Sequence, residues 1–189
     1  MVYSLVKFLA AFFLKWLFKI EVKGKDIFPR NCPFILASNH SSYLDPLVLG
    51  SVCPRQLRFL AKEELFKNKL FALFMKALGV IPIARGKGNL GIMRRALGIL
   101  KEKPLVIFPQ GTRTLDYEKF KAGIGFLYKK SNVSIVAAKI YGTDEILPPQ
   151  AKFIRKGKIK VIFDTVGSID ELDNYQEIAS KVIDKIKSL

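Results

Sequence analysis

The chain has 189 residues, half of them hydrophobic, and sets 32 lysines and arginines against 16 acidic residues, a formal charge of +16. That length fits one domain, and the apolar half excludes a disordered chain. Self-repulsion on this scale works against a compact state, so an anionic partner is expected: nucleic acid, an anionic membrane, or acidic small molecules and carrier proteins.

Residues 1–20 read MVYSLVKFLAAFFLKWLFKI. Lysines run through the apolar part and no small-residue cleavage site follows, which is unlike a signal peptide. As a helix, the run Tyr3–Phe18 would be about 24 Å long, short of the roughly 30 Å hydrocarbon core. Lys15 would cost about 2.5–3.5 kcal/mol near the centre of that core. At about 100° per residue, Ser4, Lys7, Lys15 and Lys19 gather on one side of the helix. Phe8, Leu9, Phe12, Phe13, Trp16 and Leu17 occupy much of the rest. The pattern predicts a helix over 3–18 lying in a membrane interface, with packing on its own domain as the alternative. Fifteen phenylalanines against one tryptophan and six tyrosines also favour lipid or core contact over base stacking. No nucleic-acid-binding module is legible.

After residue 20, short apolar runs alternate with helical patterns. Strands are predicted at Ile20–Val22, Phe34–Ala37, Leu57–Leu60, Val80–Ile83, Leu105–Phe108 and Ile135–Ile140, with a last pair, Lys152–Arg155 and Lys158–Phe163, flanking Gly157. Helices are predicted over 45–52, 64–78, 88–102, 120–130 and 173–187. The helix over 64–78 is a second amphipathic element that could share a docking face with the first. The alternation implies a mixed, largely parallel α/β sheet with helices on both faces. Residues 1–19 are therefore read as an interfacial helix and 20–189 as a single α/β domain. Cys32 and Cys53 have neither metal-ligand nor CxxC spacing and read as buried thiols in a reducing compartment.

In open α/β sheets chemistry gathers beyond the carboxyl ends of the strands. The first such sequence is Ser38-Asn39-His40-Ser41-Ser42-Tyr43-Leu44-Asp45-Pro46. His40 is the only histidine in the chain, and a lone histidine is more often structural than catalytic. Here a carboxylate stands five positions on. If residues 41–44 turn into a helix, Asp45 can reach back to one ring nitrogen and leave the other as the acceptor a base requires. Ser38, Ser41 and Ser42 then shape the turn. No GxSxG serine and no set of metal ligands accompanies the histidine. The second sequence, Pro109-Gln110-Gly111-Thr112-Arg113-Thr114, offers a glycine turn and an arginine able to hold a phosphate bidentately; alone it could be an ordinary surface loop.

Together these blocks carry a resemblance. Asn39 to Asp45 resembles the NHxxxxD signature of the glycerolipid acyltransferases, and Phe108 to Arg113 resembles their FPEGTR motif. Gly79 to Arg85 is similar to the family's second block, Ala61 to Leu65 to its lysine segment, and Phe120 to Gly123 and Ile135 to Ala138 to its later blocks. The order holds from about residue 20 to 165, and the branch that looks nearest is that of the bacterial 1-acylglycerol-3-phosphate acyltransferases. The resemblance implies a lysophospholipid acceptor, lysophosphatidate acylated at its sn-2 hydroxyl. It also implies an acyl thioester donor on coenzyme A or acyl carrier protein, with no metal and no bound cofactor. His40 would be the base and Asp45 its orienting carboxylate. Arg113 and Lys62 would hold the acceptor phosphate, with Arg85 beside them, and Gln110, Gly111 and Thr112 would form the substrate-binding loop. Backbone N–H groups near Gly111 or in the His40 turn are expected to stabilise the oxyanion. The protein would work as a peripheral or monotopic enzyme on an anionic lipid surface, the cytoplasmic face of the cell membrane. Two positions depart from the pattern: Gln110 stands where glutamate is usual, and Ala137 where proline is common. The alternatives are acylation of glycerol-3-phosphate or another lysolipid and, in a different class, a basic membrane- or nucleic-acid-binding module without catalysis.

Overall fold

The computed structural model of the chain describes residues 2–83, 88–151, 153–169 and 171–189. Arg85 and the start of the strand expected at Lys152 lie outside them.

The run FILAS makes the central strand. All four residues of β2 (Ile35–Ser38) are buried, as expected of a parallel strand covered on both faces. It lies parallel to β5 (Leu105–Ile107) on one side and β6 (Ile135–Tyr141) on the other. β6 pairs antiparallel with β7 (Lys158–Thr165), and β7 parallel with β1 (Lys19–Lys23), giving the order β1-β7-β6-β2-β5. Alternation then sorts the side chains into two layers. Leu36, Val106 and Val136 pack toward α1 (Val2–Leu17) and α2 (Asp45–Val52). Ile35, Ala37, Leu105 and Ile135 pack toward α4 (Gly88–Leu100), α5 (Gly123–Ser131) and α7 (Tyr175–Ser188). The mixed, mostly parallel sheet with helices on both faces is therefore as the sequence predicts.

Four details differ. β3 (Phe59–Lys62) and β4 (Val80–Ile83) form a separate parallel pair. Among the described residues, its backbone hydrogen bonds to the edge of the main sheet are those of Arg58: the N–H donates to the Pro104 carbonyl and the carbonyl accepts from Val106, both at 2.9 Å. The helix expected over 64–78 is divided into a 3-10 turn, Glu63–Phe66, and α3 (Lys69–Ala77). The Asn68 side chain marks the break by accepting from the Phe71 N–H at 3.0 Å, an N-cap. Residues 153–157 are a loop, not the first strand of a hairpin; the Arg155 N–H is held by the Ile146 carbonyl, and β7 finds its partners in β1 and β6. A short helix not legible beforehand, α6 (Thr143–Ile146), follows β6.

The first helix is amphipathic, with its large apolar side chains turned outward and Lys7 turned toward the domain. Lys7 is half-buried and its ammonium donates to the carbonyl of Cys53, at the end of α2. Burial lowers its pKa. Leu14 and Phe18 are buried on the same side, whereas Phe8, Leu9, Phe12, Phe13 and Trp16 are exposed. α1 packs on α2 and touches α3, whose Leu70, Phe71, Leu73 and Phe74 are exposed too. No helix among the described residues is long and apolar enough to cross a membrane.

The cysteines differ from each other. Both are free thiols, but Cys32 is exposed and only Cys53 is buried, which corrects the expectation for Cys32. It lies in the loop where the Arg55 guanidinium donates to the carbonyls of Pro29 and Arg30. Burial pushes the Cys53 thiol up to about 11. Iodoacetamide at pH 8 should therefore add one label, on Cys32, to the folded protein and two in denaturant; intact mass and peptide mapping would show it.

Candidate active site

Buried polar groups are expensive unless satisfied, so where they collect is informative. Among the described residues, the buried polar or charged side chains are those of Ser38, Asn39, Ser41, Ser42, Asp45, Gln110 and Thr143. All sit at or just past the carboxyl ends of β2, β5 and β6. Two of them set the frame. The Asn39 amide donates to the Ile140 carbonyl and accepts from the Ile140 N–H, each at 2.8 Å. This side chain extends the pairing of β2 with β6 by one step and holds still the backbone from which His40 projects. The Ser42 hydroxyl donates to the Leu147 carbonyl at 2.7 Å and accepts from the Leu44 N–H, which fixes the turn into α2.

Asp45 is the first residue of α2, with Pro46 behind it and no exposed surface. A carboxylate there is favoured by the helix dipole, but a fully buried charge also needs donors. It has four. His40 Nδ1 stands 2.8 Å from Oδ2. The Ser41 and Ser42 N–H groups donate to the same oxygen at 2.7 and 2.8 Å. Thr143 donates its hydroxyl to Oδ1 at 2.6 Å. A carboxylate only accepts, so Nδ1 carries a ring proton, and in the neutral imidazole Nε2 is the acceptor. The imidazole is stacked on Phe108, centroids 4.1 Å apart, and its side chain keeps 16% of its surface in solvent. Such an arrangement is able to serve as a positioned base.

The second loop is tied to the first. Gln110 accepts from the His40 N–H at 3.1 Å through Oε1, and its amide nitrogen donates to the carbonyls of Thr114 and Asp116, each at 3.2 Å. The Thr114 N–H returns to the His40 carbonyl at 2.8 Å. A glutamate would face those two carbonyls with no proton to give; here glutamine is the residue that fits. Gly111 turns the loop at φ 69°, the left-handed region, and its N–H donates to the Phe108 carbonyl. Gly111 and Thr112 are exposed. Arg113 lies over the Tyr43 ring, its guanidinium carbon 3.7 Å from the centroid. Its Nε is buried without a hydrogen-bond partner among the described residues.

The expected residues are thus partly assembled. His40, Asp45, Gln110 and Arg113 form one cluster. Lys62 ends β3, exposed, at the same end of the sheet but in the separate strand pair, and among the described residues no hydrogen bond or ion pair joins its side chain to that cluster. Of the backbone donors expected for the oxyanion, those in the His40 turn and at Gly111 itself already have partners: the N–H groups of His40, Ser41, Ser42 and Gly111 are committed to Gln110, Asp45 and Phe108. Among the described residues no group of three or more His, Cys, Asp or Glu side chains could hold a metal ion. Sequence reasoning passed over Tyr43 and Thr143. The stacking of the first on an arginine has no local signal. The second follows a glycine at a strand end, which marks a turn but not its partner.

Residues 19–141 match a family model described as Acyltransferase. The chain is 32% identical over 146 residues to the 1-acyl-sn-glycerol-3-phosphate acyltransferase of Bacillus subtilis, covering 76% of this chain and 71% of that protein. It is 29% identical over 112 residues to the enzyme of the same name from Streptococcus pneumoniae, covering 58% of this chain and 42% of that one. The crystal structure of the 1-acyl-sn-glycerophosphate acyltransferase from Thermotoga maritima superposes with a TM-score of 0.82, over 98% of this chain and 77% of that one. At 20% identity, that likeness speaks to the fold.

Proposed function

The chain belongs to the acyltransferase family, and from that premise we propose that it moves a fatty acyl chain from a thioester on coenzyme A or acyl carrier protein to the sn-2 hydroxyl of lysophosphatidate, giving phosphatidate. The observation that carries the reading is the 2.8 Å contact of His40 Nδ1 with an Asp45 carboxylate already held by two backbone N–H groups. It supports a base whose tautomer is set before substrate arrives.

His40 Nε2 takes the hydroxyl proton as the oxygen attacks the thioester carbonyl. Asp45 faces the imidazolium that results. The tetrahedral intermediate collapses, the C–S bond breaks, and the proton on Nε2 passes to the departing thiolate. Neither an acyl-enzyme nor a metal nor a bound cofactor enters the scheme. The oxyanion would take its donors from the Thr112 and Arg113 amides, for which no acceptor is found among the described residues. Arg113 anchors the acceptor phosphate. Its buried, unpartnered Nε supports that role, and stacking on Tyr43 holds the guanidinium plane for a bidentate contact. Lys62 is a second anchor and Arg85 a third. The net charge of +16 suits an anionic lipid surface and an acidic donor. The exposed apolar faces of α1 and α3 support a peripheral or monotopic enzyme, which on this reading works at the cytoplasmic face of the membrane.

The test is a panel of acceptors and donors offered to the purified protein, with products identified by mass spectrometry. Arg113→Ala should raise KM for lysophosphatidate by about 10- to 100-fold, the loss of charge-assisted hydrogen bonds worth about 1.5–3 kcal/mol, and leave kcat close to its original value. A phosphate-free monoacylglycerol should be handled as before. Equal losses on both acceptors would take Arg113 off the phosphate. No transfer to any acceptor, with tight and salt-sensitive DNA binding, would move the protein to the non-catalytic class.

A further inference from the structure

The four donors to Asp45 are unevenly shared between its two oxygens. Oδ2 receives His40 Nδ1, the Ser41 N–H and the Ser42 N–H. Oδ1 receives the Thr143 hydroxyl, at 2.6 Å. Thr143 comes from 98 residues further along the chain and is fully buried. The fold goes to some trouble to put it there. β6 ends at Tyr141, and Gly142 reverses the backbone at φ 83°. A Cβ at that glycine would stand 2.1 Å from the Lys158 carbonyl oxygen, so only glycine makes the turn. α6 begins at once, with Thr143 as its first residue.

We propose that Thr143 is a positioning residue of the His40–Asp45 pair, a conclusion that rests on the acyltransferase reading for its kinetic consequence but not for its structural one. Three donors converge on one oxygen, and a turn about the Cβ–Cγ bond would divide them between the two. The Thr143 bond removes that freedom. It satisfies Oδ1 of a carboxylate that has no exposed surface and so keeps Oδ2 on His40 Nδ1. Deleting it leaves a buried carboxylate oxygen without a donor, and relief comes by turning Oδ1 toward the Ser41 and Ser42 amides and away from the ring. The base then loses its fixed tautomer, whereas the acceptor site around Arg113 is untouched.

The substitution Thr143→Val keeps the shape and removes the hydroxyl. It should lower kcat for acyl transfer by about 10- to 100-fold with KM for lysophosphatidate unchanged, the consequence of losing one charge-assisted bond. Thr143→Ser, which restores the donor, should recover most of that rate. A second readout needs no activity. His40 is the only histidine in the chain, so protein labelled with 15N-histidine gives the spectrum of this imidazole alone. Its Nδ1–H signal should lie far downfield in the wild type and in Thr143→Ser, and shift upfield or broaden away in Thr143→Val. Should Thr143→Val not fold, as judged by thermal unfolding, Thr143→Ala carries both measurements. An imidazole spectrum unchanged by removal of the hydroxyl would overturn the proposal, as would valine and serine variants equally depressed, or a loss confined to KM. A wild-type protein that acylates nothing on the panel yet shows the downfield signal and its loss in Thr143→Val would overturn the acyltransferase reading and leave the positioning role supported.

Discussion

Replacing His40 with alanine should lower turnover of lysophosphatidate by roughly 10²- to 10⁴-fold, the range a positioned general base contributes, and leave the protein folded. The second half of that statement is what makes the experiment clean. His40 gives Asp45 one of its four donors; the Ser41 and Ser42 amides and the Thr143 hydroxyl remain in the alanine variant. The buried carboxylate therefore keeps partners on both oxygens. The ring itself is stacked on Phe108 at the edge of the core, partly in solvent, so its removal opens no enclosed cavity. KM for the acceptor should hold, because Arg113 rests on Tyr43 and not on the imidazole. Removing Asp45 instead would orphan a histidine, two amides and a threonine at once, and a loss of activity there would mix chemistry with damage. Product formation by mass spectrometry, with the melting transition as control, decides it: full turnover by His40→Ala would end the general-base mechanism, and a lost transition would make His40 a structural residue.

This contrast between His40 and Asp45 also marks how far the site was legible beforehand. His40 and Asp45 are five residues apart, and the turn joining them is written in the intervening serines and in Pro46, the second residue of the helix. Local chemistry of that kind can be read from the chain. So can β2, where a fully apolar run followed at once by polar residues has few other meanings. The remaining parts of the site depend on groups distant in sequence. Gln110 looks like a lost charge when set beside the glutamate of the resembled motif; only the positions of the His40 N–H and the Thr114 and Asp116 carbonyls show why an amide is needed. Thr143 reaches Asp45 across the ends of two strands. The same limit explains the misplaced hairpin. Two short apolar runs about a glycine suggest neighbours pairing with each other, but β7 is paired instead with β1, which enters the sheet from the other end of the chain. Periodicity likewise finds the two sides of α1 without saying which is turned to the domain. Lys7 is drawn inward by the carbonyl at the end of α2, and that is a tertiary fact.

The orientation of α1 leads to the second large effect. The double substitution Phe12→Glu, Trp16→Glu should lower partitioning onto anionic vesicles by at least about 100-fold, since withdrawing two large aromatic side chains from lipid forfeits about 1.5 kcal/mol or more apiece. Both side chains are mostly in solvent, 65% and 73% exposed, so glutamate at these positions costs the fold little. An outward stripe of Phe8, Leu9, Phe12, Phe13 and Trp16, adjoined by Leu70, Phe71, Leu73 and Phe74 of α3, is more apolar surface than a freely soluble protein ordinarily shows. Lys69 and Lys76 are exposed at the two ends of α3, where they can meet anionic headgroups while the stripe enters the acyl boundary. Turnover should separate accordingly. With lysophosphatidate presented in vesicles the double variant should be slow, and with a short-chain acceptor dissolved below its micellar concentration it should match the wild type, because both side chains are on the outward side of α1 and outside the cluster of His40, Asp45, Gln110 and Arg113. Vesicle flotation alongside the two assays checks both halves. Retained vesicle binding would put the membrane face elsewhere on the basic surface, and a loss of activity on the soluble acceptor would mean that α1 supports the site through its seat on α2, the helix that carries Asp45.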